Sequence, residues 1–539
     1  MRLIPANNKV LLGFFTFLSL SLTAQVDFTI DIEPISITGA PQVQSYTWGL
    51  TSDQKWIILG GRIDGLHQRQ PFASFLAQDN NTSVFVIDPV GNQTWSADLS
   101  SLPAPLFEQL QSTNQNFIQR KGTLYITGGY GYSATAGDHI TYDGLIAVDV
   151  DGLADAVINS TAIDGYFRSI NDPVFKITGG QMGELDSTYY LVGGHLFDGK
   201  YNPMGPNNGP GFVQVYSNEI RTFKINDDGT NLSFYDYAAI HDTINLHRRD
   251  YNMAPQIYPD GSYGFTAFSG VFDYNNMPYL NVVEVTPGNY TVNNTFNQLL
   301  SQYQSAKMPI YDTVGNVMHT FFFGGLSQFT LDNQGTLVED VNVPFVKTIS
   351  RISRDSGGAM TETKLDYLEM PALMGPGSDF IHLHDYLYIN DVISLSAIPN
   401  QRTLVGYIFG GIESTAENIF FVNDGTQSAS TTSIFGVYID KSQAGLEETE
   451  INGKGVFNLK LYPNPVGRKL KLNFFASSLD KIALNVVTAD GKVVISETYT
   501  PWMTGEQEYK LDVSELAEGS YFLAITNGAF QYQEQFVKR

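Results

Sequence analysis

The chain has no cysteine among its 539 residues. No disulfide can brace it and no lipid can be joined to a processed N-terminal Cys, so its stability must come from burial in a large fold. Basic residues are scarce: 31 Lys and Arg stand against 55 Asp and Glu, a net charge of -24. Nucleic acid and anionic membrane attract basic surfaces, so both are poor partners for this chain. Solubility explains the acidity simply, and weak calcium binding is the sharper alternative. Apolar runs are short. The longest, Val10 to Leu22, falls below the about 20 residues that a membrane-spanning helix needs. The P-loop, HExxH and GxSxG patterns are also missing, which removes the commonest signatures of nucleotide, zinc-protease and serine-hydrolase chemistry.

What is present begins with an export signal. Arg2 and Lys9 precede the apolar run, and Ala24 is a small residue suited to cleavage. Residues 1–24 are read as a secretory signal peptide and set aside from the fold.

The middle of the chain repeats. Six segments end a β-rich run in a pair of small residues: Trp56 to Gly61, Leu124 to Gly129, Tyr189 to Gly194, Phe265 to Gly270, Phe321 to Gly325 and Tyr407 to Gly411. The final glycines are 68, 65, 76, 55 and 86 residues apart. A unit of about 50 residues with variable loops fits this better than a rigid solenoid. After each pair come a loop, a short strand, a tight turn and another strand. Examples are Val84 to Asp88 turning through Gly91 and Asn92 to Trp95, and Leu145 to Gly152 turning into a strand near Val157. Ile220 to Gly229 leads likewise to Leu232–Tyr237, and Leu280 to Val285 leads through Gly288 to Asn289–Asn294. With a further strand before each pair, near Ile257 and Ile310 for instance, each unit has four strands. Glycine suits the pair because it lets backbones approach closely or take φ > 0.

A Gly-Gly pair, an aromatic-aliphatic strand, Asp and then Trp resembles the Kelch motif, and Val84 to Trp95 is the best local match. The other units lack the Trp, and Ser269 replaces the first glycine of the fourth. The resemblance implies an all-β fold: a six-bladed Kelch-like β-propeller over residues 25–442. The sixth unit lacks a fourth strand after Ile434 to Asp440. The alternating segment Val26 to Ile32 is expected to supply it, closing the ring and covering the edge. Helix is expected only in short turns, at Leu106 to Ser112 and Thr295 to Ser305.

Residues 443–458 lie in a stretch with few large apolar side chains and are read as an exposed linker. Beyond it, seven strands centred near Leu461, Leu472, Val486, Val494, Lys510, Leu523 and Gln535 predict a small Ig-like β-sandwich. This tail holds nine Lys and Arg and nine Asp and Glu, so the acidity belongs to the remainder. It carries LYPNP (Leu461 to Pro465), GKVV from Gly491 and LAEGSYFLAI from Leu516, and ends at Val537, Lys538 and Arg539. This order resembles the type A C-terminal sorting domain of the type IX, or Por, secretion system. Tyr462, Pro463, Asn464, Pro465, Gly491, Gly519 and Tyr521 are its motif positions. The resemblance implies passage through the periplasm to the cell surface or outside. It further implies handling by the type IX machinery and a surface sortase, with release or attachment to an anionic polysaccharide.

Candidate binding residues cluster after the glycine pairs, where variable loops share one face of such a scaffold. They are Arg62, His67, Arg69, Tyr130, Tyr132, His139, His195, Tyr201, Asp273, Tyr274 and Glu413. Arg168 and Arg249 precede candidate inner strands and are added as groups at the channel mouth, as are Arg248 and Lys307. Aromatic faces stack on sugars and charged groups bind their hydroxyls. The leading expectation is a binding or scaffold protein for a glycan or a surface protein. The second is a carbohydrate-active enzyme, since some Kelch propellers are sialic acid mutarotases or epimerases; the third is an adhesin without a small ligand. Kelch-type copper radical oxidase chemistry needs a Tyr–Cys crosslink and is excluded by composition. Neither cofactor nor metal is expected. His382 and His384 alternate, but two ligands do not close a site, and Asp149 to Gly152 and Asn226 to Gly229 are too short for an EF-hand loop.

Overall fold

The computed structural model describes residues 28–203, 211–332, 336–442, 446–451, 456–476, 481–488, 491–502, 505–527 and 530–539. Residues 1–27, which include the segment expected to be a signal peptide, and part of the Pro/Gly/Asn stretch after Tyr201 lie outside these. The fold is almost entirely antiparallel β-sheet with few helical turns.

Each glycine pair ends the second strand of its own sheet. The first sheet runs Thr47–Leu50, Trp56–Leu59, Ser83–Asp88, Gln93–Asp98. The second runs Asn116–Arg120, Thr123–Thr127, Gly144–Asp149, Phe167–Asn171. The third and fourth repeat the pattern from Gln181–Leu185 to Leu232–His241 and from Asn252–Ile257 to Asn289–Asn293. The fifth, from Ala306–Asp312 to Met360–Glu369, gains Ile393–Ser394 on one edge and Glu448–Glu450 on the other. In the sixth, Asp379–His382, Arg402–Phe409 and Ile434–Asp440 are joined by Thr29–Ile35 from the start of the chain. That strand pairs in register from Thr29 opposite Asp440 to Ile35 opposite Ile434, as its alternation predicts.

Successive sheets pack face to face through apolar clusters, and the sixth packs on the first. Ile381, Tyr407, Phe409 and Ile434 bury Val43, Tyr46, Trp56 and Ile58. The glycine pairs reinforce five of the six contacts, all but that between the fourth and fifth units. The amides of Gly61, Gly129, Gly194, Gly325 and Gly411 donate to the carbonyls of Ser112, Ile177, Arg248, Met374 and Val43 in the following unit, at 2.9–3.1 Å. A Cβ on Gly128 would sit 1.7 Å from the Ile177 carbonyl, so the close approach itself requires glycine there.

A second circle lies inside the first. Ser45, Asn114, Gly179, Asp250, Gln304 and Gly377, each just ahead of an innermost strand, all have φ between 50 and 73°. Their amides and carbonyls form a chain of bonds: Asp250 to Gly179, Gly179 to Asn114, Asn114 to Ser45, Ser45 to Gly377 and Gly377 to Gln304. Gln304 Nε2 adds bonds to Ser45 Oγ and Asn114 Oδ1 across the middle.

Three local expectations need correction. The segment around Val157 is not a strand but the helix Val150–Ile158. Asp149 caps it through the Gly152 amide, and Val150, Leu153, Ala154 and Val157 give it a helical apolar face. Thr295 to Ser305 holds no helix, because the amides of Leu299 and Leu300 are taken by the Glu362 carboxylate. The short helix near Leu106 does form, as Ala104–Leu110. The linker is not wholly exposed: Glu448–Glu450 pairs with Met360–Glu369, and Ile451 is buried against Leu280, Leu299, Leu300 and Phe329.

The tail holds its seven strands in two sheets. One is Val456–Tyr462, Lys469–Ala476, Gly505–Asp512; the other is Val493–Tyr499, Ile482–Thr488, Gly519–Asn527, Phe530–Lys538. Asn464 of the LYPNP motif bonds both the Val537 amide and the Gln535 carbonyl, which pins the motif to the last strand. Tyr521 stacks on Phe536 inside the sandwich core. Gly491 turns with φ +86° between two strands.

Candidate binding pocket

The loops that follow the glycine pairs enclose a pocket of about 380 Å³. All six units supply an aromatic ring to its wall: Phe75, Tyr130, Phe197 with Tyr201, Phe272, Phe345 and Phe420. Below it the six left-handed residues constrict the axis to a space of about 60 Å³. Beyond the constriction the axis reopens as a basin of about 550 Å³.

Six of the thirteen residues proposed from sequence line the pocket: Arg62, His67, Tyr130, His195, Tyr201 and Arg249. They divide by what they have left to offer. Arg62 is 2% exposed and its donors are engaged by Asp64, Asn80 and the Leu76 carbonyl, so it staples its own loop. His67 stacks on Phe75 at 4.9 Å and meets the edges of Tyr201 and Phe420, joining the loops of three units. Burial pushes its pKa down to about 4, so it is neutral at pH 7. The Tyr130 hydroxyl donates to the Gly199 carbonyl at 2.8 Å.

Arg249 and His195 form the polar pole. Arg249 Nε donates to Tyr216, Nη1 pairs with Asp250, and the guanidinium lies 5.4 Å from the Phe272 centroid. Among the described residues Nη2 has no hydrogen-bond partner. His195 Nδ1 accepts from Gln214 Nε2 at 2.8 Å, which places the ring proton on Nε2. Burial, with the nearby Arg249 charge, holds His195 well below the usual imidazole range.

The other seven lie elsewhere. Arg69 spans Phe420 and Phe421 over an adjoining hollow. His139 supports the wall from behind, bonding the Phe75 carbonyl at 2.8 Å, and Tyr132 packs on His139. Asp273 closes a turn on Asn275 and Met277, while Tyr274 stacks on His247 and is 66% exposed. Glu413 faces solvent; Glu417, four residues on, lines the pocket. Arg168 sits on the outermost strand of its sheet, paired with Asp227, and does not reach the channel mouth. Arg248 is buried against Tyr279 and backbone carbonyls, and Lys307 belongs to the far basin. His382 ends a strand and His384 opens a short 3-10 turn, with rings 5.8 Å apart.

Residues missed from sequence include Phe75, Gln214, Tyr303, Phe345, Phe420 and Phe421. A count of aromatics across the whole post-glycine loop, rather than its first residues, recovers Phe75 and the Phe420–Phe421 pair.

No curated protein matches this chain. Solved structures resemble it weakly. YjhT is 10% identical with a TM-score of 0.42, over 75% of this chain and 99% of that one. A sucrose-6-phosphate hydrolase from Lactobacillus gasseri is 10% identical at 0.29, over 94% and 86%. PorZ, a surface component of the type IX secretion system of Porphyromonas gingivalis, is 10% identical at 0.14, over 92% and 80%. At these scores none of the three decides anything about this chain. Among the described residues no helix is long and apolar enough to cross a membrane. Residues 460–539 match the family described as Secretion system C-terminal sorting domain, and with that tail the protein is exported by the type IX system to the cell surface or the outside.

Proposed function

We propose that the exported cargo is a six-bladed Kelch-like propeller that binds a glycan in its loop-face pocket. The cyclic order of packing, from the sixth sheet back to the first, supports the propeller. The observation that carries the ligand is the wall itself. Rings from all six units surround about 380 Å³, and Arg249 and His195, whose Nη2 and Nε2–H donors have no partner among the described residues, both line it. Aromatic faces with a few fixed polar groups suit a sugar end better than a flat protein surface.

Binding is favoured over mutarotase or epimerase catalysis because Asp250 is tied to Arg249 and burial makes both histidines poor proton acceptors, which leaves Glu417 as the one carboxylate of the wall without an ion pair among the described residues. A glycan array probed with the exported protein, together with an NMR mutarotation assay, tests this. The expected result is saturable binding of one glycan class, weakened at least about tenfold by Tyr201→Ala or Arg249→Met. Catalysed anomer exchange overturns the non-catalytic reading, and an empty array overturns the glycan.

A further inference from the structure

The far basin has a chemistry unlike that of the loop-face pocket. It is the larger space, about 550 Å³, and the constriction at the ring of left-handed residues divides the two. One wall carries Lys307 and Asp379, side by side at 3.4 Å. That is longer than the about 2.7–2.9 Å of a strong charge-assisted bond. Among the described residues it is also the only hydrogen bond of the Lys307 ammonium, which has three N–H groups to give. Burial pushes the Asp379 carboxyl upward in spite of Lys307.

Another wall carries Arg120. Its Nε meets Glu184 and its Nη1 meets Asp391, each at 3.0 Å, and Nη2 has no partner among the described residues. Asp391 reaches it from the sixth unit and is 44% exposed on its side chain. Between the walls stand the rings of Trp48 and Phe117, 6.2 Å apart.

We propose that this basin binds a small zwitterion with an apolar body, a free dipeptide, with its carboxylate on Lys307 and Arg120 and its ammonium on Asp379 and Asp391. Cations and carboxylates occur on both walls. A ligand of one sign would be attracted by half of them and repelled by the other half, and an uncharged sugar, though its hydroxyls can bond these groups, has no charge to complement either set. A molecule with separated opposite charges meets both sets. Its apolar side chain would cover Trp48 and Phe117, and the volume suits two residues.

The test is titration of the full exported protein with Ala-Phe, followed by calorimetry and by tryptophan fluorescence. Matched peptides acetylated at the N-terminus or amidated at the C-terminus serve as comparisons. Free Ala-Phe is expected to bind saturably, and each capped form to bind at least about tenfold more weakly. Lys307→Met and Asp379→Asn should each cause a similar loss, with far-ultraviolet dichroism unchanged. Absence of binding at about 10 mM free dipeptide, equal binding of capped and free forms, or full binding by folded Lys307→Met overturns the proposal. If neither variant folds, the capped comparison on the parent protein decides alone.

Discussion

The amide of Gly411 donates to the carbonyl of Val43 across 2.9 Å, joining the last repeated unit to the first. Four of the five earlier units make the same bond to their successors, the fourth unit being the exception, so the last unit meets the first through the device used between most of the others. The preceding residue, Gly410, has φ +62°, and a Cβ there would lie 2.5 Å from the Val43 carbonyl. Gly410→Ala therefore meets both backbone strain and a clash, and is expected to destabilise by about 2–4 kcal/mol. Gly229→Ala is the control: its φ is +86° but no atom lies within 4 Å, so only the conformational term of about 1 kcal/mol applies. Denaturant unfolding of both variants checks the difference, and equal losses would show that the close approach is unimportant.

The N-terminal strand should behave as part of the core. Phe28 and Ile30 are each 2% exposed in the cluster shared by the fifth and sixth units. Arg402 grips Asp31 and Glu33 on the outer face. Removing residues through Ile32 uncovers this cluster and leaves residues 437–440 as a bare edge. The melting temperature is expected to fall by well over about 5 °C, with one cooperative transition; a truncated protein melting like the parent would refute the strand's role.

Most of this architecture was legible because its requirements fall on residue type. A backbone approach that excludes Cβ demands glycine, so the pairs stand out; alternation marked the first strand, and regular turns marked the seven strands of the tail. The inner circle was not legible. Its left-handed positions are filled by Ser45, Asn114, Gly179, Asp250, Gln304 and Gly377, which share a backbone conformation and no side-chain property. Val150–Ile158 was misread because an Asp-Gly turn signal at Asp151 and Gly152 is also a good first helical turn once Asp149 caps it. For the pocket, six of the thirteen side chains named from sequence line the wall. Sequence failed where long loops fold back, as Phe345 and Phe420 do, since distance along the loop says nothing about which ring returns to the axis.

The sorting tail makes a prediction in the cell. Its strands carry their own core, from Leu470 and Phe474 to Leu523 and Phe536. Deleting residues 459–539 should leave a folded cargo in the periplasm, detected by fractionation and protease protection. Normal appearance of that deletion at the cell surface would refute the tail's role in export.

The segment before the tail should belong thermodynamically to the cargo. Glu448 meets Arg351 with two bonds, Nη1 at 2.9 Å and Nη2 at 2.7 Å, and Arg351 is 5% exposed. Ending the cargo at residue 445 instead of 451 removes this partner, unpairs the edge of Met360–Glu369 and uncovers the site of Ile451. A loss of about 1–3 kcal/mol is expected between the two fragments, measured by urea unfolding. Equal stability would show that the docking is incidental.

Beside that docked segment, Glu362 is 1% exposed and its main-chain carbonyl accepts the Ile451 amide at 2.7 Å. Burial raises its carboxyl to about 8, although the amides of Leu299 and Leu300 favour the charged form. In the unfolded chain a glutamate ionises near about 4.3. Between these values the unfolded state has released a proton that the folded state keeps, so stability falls as pH rises from about 4.3 to about 8. This one group's contribution across that window is on the order of 5 kcal/mol. Glu362→Gln cannot ionise and is expected to flatten the decline, whatever its effect on stability at a single pH. Urea unfolding of the cargo ending at residue 451, at intervals from pH 5 to about 8.5, gives the two slopes. Parallel slopes for parent and variant would show that Glu362 is already ionised in the folded protein.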